Sequence, residues 1–257
     1  MKIGLIQGRL LPPVDGHIQE FPRRWQEEFK IAEELGFDHI EWIITSRSFK
    51  DNPIFFEDCK KYNISSLCAD NLVSDHFLDD IFLRDNLDPI CAAAEKNNIH
   101  WLTIPLLEES NISDDKKREI FKAKINEYSD RYPYLNFSFE AEAKPEDILD
   151  IVEERENFWI TYDTGNITSE GLDHRDYILK THKKINNVHL KDRTFDAQTV
   201  PPLSGDTDFD LIFNILSEVK YTGPYTIQTA RGESGLETKT MKQHKSIFER
   251  IYNATHS

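Results

Sequence analysis

FWITYDTGN (residues 158–166) and, about one helix later, INNVHLKDR (residues 185–193) decide the fold of this chain. Each begins with aromatic and β-branched residues, which suit a buried, pleated surface. Each ends abruptly in polar ones: Asp163, Thr164, Gly165 and Asn166 in the first, His189, Lys191, Asp192 and Arg193 in the second. Strands buried on both faces should be apolar along their whole length. Two that finish in Asp, His, Lys and Asp need a chemical reason, and a bound metal ion is the expected one.

Working outward, short apolar runs alternate with longer amphipathic segments. Strands are expected over residues 2–7, 38–42, 64–69, 100–105, 136–139, 158–162, 187–190 and 224–227. Helices are expected over 24–35, 52–62, 78–97, 113–131, from Pro145, between the two motif strands, over about 209–220 and about 237–252. Gly36 stands where a C-cap glycine belongs, Ser113-Asp114-Asp115 offers N-cap oxygens, and Pro145 suits a first helical position. Such alternation implies a parallel sheet with right-handed crossovers. Eight units favour closure, and 257 residues is the usual size of one (β/α)8 barrel. No composition break divides the chain, so residues 1–257 are expected to form a single domain. No GxGxxG follows the first strand, which removes the argument for a dinucleotide fold.

Composition narrows the partners. Forty-six acidic against 31 basic residues leave a net charge of -15, which repels a polyanion, so no nucleic-acid partner is expected. Cys59, Cys68 and Cys91 are odd in number and show no CxxC spacing, which fits a reducing cytoplasm better than a disulfide framework. No apolar run of about 18 residues and no signal-peptide pattern is present, so no membrane partner is expected.

In a barrel of this kind chemistry belongs at the carboxyl ends of the strands. Read in order, those ends carry Gln7 and Arg9, Glu41, Asp70, Glu108, Glu140 and Glu142, Asp163 and Asn166, His189 and Lys191, and Gln228 and Arg231. Carboxylates converging in a partly desolvated cup are costly unless neutralised, and one divalent cation would neutralise them. Mixed Glu, Asp and His ligation suits Mn2+, Zn2+, Co2+ or Mg2+. Simpler roles stand beside these. Asp163 could cap the next turn, His189 could be a satisfied core histidine, and Lys191 and Asp192 could form a surface ion pair. Trp25, Trp42, Trp101 and Trp159 are most simply core, although Trp42 could wall the pocket. Alternation points Glu140 and Glu142 to the same face, and Glu140 is the preferred ligand.

The segments GFDHIEW, FSFEAEAKPED, ITYDTGN, NNVHLKDR, PPLSGDTDF and YTGPYTIQTARG resemble the xylose-isomerase-like TIM-barrel superfamily, which includes sugar isomerases, sugar-phosphate epimerases and related lyases. The resemblance implies one catalytic divalent metal held from strands five, six, seven and eight, here Glu140, Asp163, His189 and Gln228. The last departs from the family's Glu. An amide oxygen can ligate a metal, but it cannot take a proton. Epimerising members use two carboxylates on opposite faces of the substrate, whereas an aldose-ketose shift through an enediolate needs one base, for which Glu140 is suited. A metal-dependent isomerase acting on a sugar, sugar phosphate or sugar acid is therefore expected, with Lys191 beside Glu140 as a further catalytic group. The alternatives are an epimerase or dehydratase of the same superfamily, or a non-catalytic sugar-binding member. Apurinic-site endonucleases share the barrel but carry a His where this chain has Asn166. Substrate contacts are expected from Arg9, Glu41, Asp70, Glu108, Glu142, Asn166, Arg193 and Arg231, the arginines gripping a phosphate or carboxylate. The segment 10–23, with three prolines, could fold over the mouth as a lid. A homo-oligomer is a further possibility raised by the resemblance.

Overall fold

The structure, a computed structural model, describes residues 1–13 and 24–255. Eight parallel strands close into a barrel: β1 (Ile3–Ile6), β2 (Ile40–Ile43), β3 (Ile64–Cys68), β4 (Trp101–Leu106), β5 (Asn136–Ala141), β6 (Phe158–Asp163), β7 (Ile185–Leu190) and β10 (Tyr225–Ile227), which pairs with both β7 and β1. The intervening β8 (Asp192–Arg193) and β9 (Thr199–Val200) form a separate antiparallel ribbon just beyond β7. Helices α1 (Trp25–Glu34), α2 (Asp80–Asn86), α3 (Asp88–Lys96), α4 (Asp115–Arg131), α5 (Pro145–Val152), α6 (Thr164–Ser169), α7 (His174–Thr181), α8 (Phe209–Glu218) and α9 (Glu237–Thr255) occupy the connections. The single (β/α)8 barrel read from the sequence is present.

Register sets the height of each functional side chain. Asp163 on β6 is level with His189 on β7, and Glu140 on β5 pairs with Pro105 on β4. The three residues thus reach the carboxyl rim from adjacent strands. The helices hold this rim by burying apolar faces against the barrel. In α8, Phe209, Ile212, Phe213, Ile215 and Leu216 are all buried, and Phe213 stacks on Tyr225 of β10 with ring centroids 5.4 Å apart. Burial of one such side chain is worth roughly 1.5–3 kcal/mol.

Two expected helices differ. Residues 52–62 form a one-turn 3-10 segment, Pro53–Phe55, and no α-helix. Side chains have taken over the backbone groups that a helix would pair: Asn52 Oδ1 accepts from Ile54 N–H (3.2 Å) and from Trp42 Nε1 (2.9 Å), and Asn97 Oδ1 accepts from Cys59 N–H (2.8 Å). Asn is prone to this competition. The stretch 78–97 is two helices meeting at Leu87, because Pro89 falls in the first turn of α3 and supplies no N–H. Within the expected start of α4 the N-cap is Asp114, which accepts from Lys117 N–H. Trp42 is fully buried against Trp25, so it belongs to the core and does not wall the pocket. The expected lid lies largely in residues 14–23, outside the described residues. Among the described residues no helix is long and apolar enough to cross a membrane.

Candidate active site

Glu140, Asp163 and His189 each offer a ligand atom, and these atoms lie within 4.8 Å of one another. All three side chains are buried. The imidazole is fixed from behind: His189 Nε2 lies 2.9 Å from Glu41 Oε2, which also accepts from Asn187 Nδ2 at 3.1 Å. The other ring nitrogen, Nδ1, faces Glu140 Oε2 at 3.1 Å and Asp163 Oδ2 at 3.9 Å, yet it makes no hydrogen bond. A carboxylate behind a ligating imidazole, setting its tautomer and orientation, is a common arrangement at metal centres.

Asp163 divides its two oxygens. Oδ1 accepts from Asn166 N–H at 2.8 Å and so caps α6. Oδ2 sits 2.8 Å from Lys191 Nζ as an ion pair without hydrogen-bond geometry. Gly165 allows the turn to lie this close to the tail of β7, since a Cβ there would fall 2.9 Å from Lys191 Cγ and 3.0 Å from Arg193 Cγ. Thr164 ties the two motif segments together: its hydroxyl lies 2.7 Å from Lys191 O and accepts from Lys191 N–H at 3.0 Å.

Glu140 Oε1 accepts from Asn166 Nδ2 at 2.7 Å, and Lys191 Nζ is 3.7 Å away. Burial opposes a charge on Glu140, but His189 and Lys191 outweigh it and hold the carboxyl down at about 2. For Asp163 burial wins over Lys191, Glu140 adds to it, and the pKa is raised. Burial also works against a charged His189, but Glu41 and Glu140 together lift its pKa to about 10.

The donor set fits a divalent cation. Three buried atoms, Asp163 Oδ2, His189 Nδ1 and Gln228 Oε1, have no hydrogen-bond partner, and a buried polar atom left so costs about 1–3 kcal/mol. Carboxylate, imidazole and amide oxygen are together the ligands that Zn2+, Mn2+, Co2+ or Mg2+ accept.

Above the cluster opens a cavity of about 470 Å³ lined by Glu140, Lys191, Gln228, Asp70, Glu108 and Arg193, with Thr45, Ser46 and Arg47 on another wall. Other expected contacts are placed elsewhere. Glu41 lies beneath the imidazole, fully buried, and does not line the cavity. Asn166 is buried between Glu140 and Lys191, whose Nζ donates to its Oδ1 at 3.3 Å. Glu142 is tied up, accepting from Arg193 Nη1 at 3.2 Å and from Glu108 N–H at 3.3 Å, and Glu140 is the member of the pair that meets Asp163 and His189. Arg9 is buried, with Nε 3.3 Å from Thr229 O; burial and the neighbouring Arg231 lower its pKa to about 9 against the pull of Glu28. Arg231 donates to Leu11 O at 3.2 Å. Neither arginine is among the cavity-lining residues. Asp192 is a structural member of its motif: Oδ2 accepts from Ser204 and Gly205 N–H at 3.1 and 3.0 Å and so pins the loop after the ribbon. Asn187, which holds Glu41, and Arg47, which lines the cavity, are not among the site residues expected from the sequence. The signal for Arg47 was its place just past β2, beyond the strand-end residue Glu41.

Residues 129–249 match the family described as xylose isomerase-like TIM barrel. That match covers just under half of the chain, and the closed barrel is the fold that its description names. No protein of curated function matches the sequence. Solved structures superpose over nearly the full length. The IOLI protein with a bound zinc atom is 16% identical, with a TM-score of 0.75 and 99% of each chain covered. D-psicose 3-epimerase from Clostridium cellulolyticum H10, with D-tagatose, is 14% identical, with a TM-score of 0.72 and coverage of 98% of this chain and 99% of that one. The 3-keto-D-glucoside 4-epimerase YcjR from E. coli is 16% identical, with a TM-score of 0.70 and coverage of 97% and 99%.

Proposed function

We propose that this protein is a divalent-metal-dependent isomerase that moves a carbonyl between neighbouring carbons of a sugar, sugar phosphate or sugar acid through an enediolate. The observation that carries the proposal is the meeting of Glu140, Asp163 and His189, whose ligand atoms lie within 4.8 Å of one another, beside a cavity that Glu140 and Gln228 line, with Asp163 Oδ2, His189 Nδ1 and Gln228 Oε1 buried and lacking hydrogen bonds. Asp163, His189, Gln228 and Glu140 would hold the ion, which when bound supplies Lewis-acid polarisation of the substrate oxygens. Glu140, with the Lys191 ammonium favouring its ionised form, removes the proton beside the carbonyl and returns it to the neighbouring carbon on the same face. Lys191 keeps a positive charge beside the developing oxyanion. Arg193 and Arg47, both on the cavity wall, meet the anionic end of a phosphorylated or carboxylated substrate. Gln228 stands where a second base would stand in an epimerase. A positioned acid or base is worth about 10²- to 10⁴-fold in rate, so its loss weighs heavily against epimerisation and little against isomerisation.

The likeness to a zinc-bound structure and to sugar epimerases supports a metal and a carbohydrate substrate. The test is incubation of the metal-loaded protein with aldoses, ketoses and their phosphates in D2O. Isomerisation with deuterium beside the carbonyl is expected. An epimer as the sole product would make it an epimerase, loss of water a dehydratase, and neither deuterium nor any product with any sugar a binding protein.

A further inference from the structure

Asp70 follows β3 and opens the 3-10 turn Asp70–Leu72. It lines the same cavity as Glu140 and Lys191. Unlike Glu140, Asp163, Glu41 and Glu142, each of which is held by named partners, its carboxylate makes no hydrogen bond or ion pair with any described residue. It is half-buried and bare toward the cavity. We propose that Asp70 is the second proton-handling group of the reaction, serving the substrate oxygens while Glu140 serves the carbons. This rests on the isomerase reading given above.

An aldose-ketose shift moves two protons, one between carbons and one between oxygens, and Glu140 accounts for only the first. In the forward half, Glu140 takes the proton from the carbon beside the carbonyl. The C–H electron pair becomes the C=C bond, the carbonyl π pair moves onto oxygen, and Asp70 as the acid gives that oxygen its proton. In the second half Asp70, now carboxylate, takes the proton of the neighbouring hydroxyl, whose electrons form the new C=O. The C=C pair takes the proton back from Glu140 at the former carbonyl carbon. Both carboxyls end as they began, and the substrate gains and loses nothing.

The surroundings suit the role. Burial, and after it the charge of Glu140, push the Asp70 pKa up to about 6, with Lys191 pulling it down and Glu108 adding to the rise.

The test is Asp70→Asn in the full chain. Two readouts separate a proton shuttle from a structural role. In D2O the variant is expected to lose about 10²- to 10⁴-fold in turnover, while Glu140 still exchanges the carbon-bound proton, so the ratio of deuterium in recovered substrate to product rises. Asp70→Glu should restore part of the turnover, and both variants should bind Zn2+ within about twofold of the parent chain. In the parent protein without substrate or metal, carbon-13 NMR should show a carboxyl titrating near 6 that is missing from the Asn variant. Unchanged turnover and exchange ratio in the Asn variant, or an Asp70 carboxyl titrating at 4 or below, overturns the proposal and leaves the isomerase reading intact. A parent protein that exchanges no deuterium overturns the isomerase reading instead, and the proposed role of Asp70 falls with it.

Discussion

Glu41→Gln removes one charge from behind the candidate metal centre and keeps the shape. In the native chain Glu41 Oε2 serves both His189 Nε2 (2.9 Å) and Asn187 Nδ2 (3.1 Å), while Oε1 is buried without a partner. The amide keeps one oxygen for these donors and exchanges the unpartnered Oε1 for an NH2, so the main change is the loss of the charge behind His189. The charge matters for metal binding in two opposed ways. Burial disfavours the imidazolium and Glu41 is the strongest charge opposing burial, so its removal lowers the His189 pKa and eases displacement of the proton by metal. The same carboxylate attracts a doubly charged ion about twice as strongly as a proton at equal distance, so the net effect is weaker binding. Changes behind a ligating imidazole typically reduce affinity 10- to 100-fold, or about 1.4–2.8 kcal/mol. Competition against a chromophoric chelator at pH 7.5, with Zn2+ and with Mn2+, measures this directly, and Asp163→Asn, which removes a ligand outright, should lose more. A Glu41→Gln protein that binds both ions within threefold of the parent would refute the reasoning.

Metal uptake should release protons: with His189 charged below about 10 in the ion-free protein, each ion bound at pH 7 expels roughly one. Calorimetry in buffers of different ionisation heat should show it, together with affinity that rises with pH and levels off near 10. Acid should destabilise the fold through His174, whose pKa burial lowers to about 4 against the carboxylates of Asp173 and Asp208. Below about 6.5 the unfolded chain takes up a proton that the folded chain refuses, so up to about 3 kcal/mol of stability is lost as pH falls from 6.5 to 4. Urea midpoints at pH 7 and 5 should differ in that sense, and less so in a His174→Gln chain. Gly165→Ala should cost about 1–3 kcal/mol by overpacking against Lys191 and Arg193, seen as a lower melting temperature, and should weaken metal binding because Lys191 must move.

The fold was legible because eight strands carry their own signal: β-branched and aromatic runs such as FWITY and INNV end in polar residues, and the register of β6 and β7 then sets Asp163 level with His189. The connections were less legible where one side chain overrode periodicity, as Asn52 and Asn97 do by claiming the backbone of residues 54 and 59. At the site, the motifs located Glu140, Asp163, His189 and Lys191, whose roles depend on local sequence and strand parity. They could not separate residues that face the cavity from those that stand behind it. Glu41 and Asp70 are both acidic residues near the carboxyl ends of neighbouring strands, yet Glu41 ends beneath the imidazole and Asp70 in the cavity, a difference decided by where each strand stops. Glu142 follows the same parity as Glu140, but it lies past the last residue of β5, where Arg193 claims it.

The most direct measurement is anomalous scattering from crystals of the protein grown with Zn2+ or Mn2+, paired with metal content in solution. One ion per chain, about 2.0–2.2 Å from a carboxylate oxygen of Asp163 and from His189 Nδ1, with Glu140 in its coordination sphere and binding lost in Asp163→Asn and His189→Gln, is the result expected. An ion held elsewhere, or full retention of metal by both variants, would contradict the account.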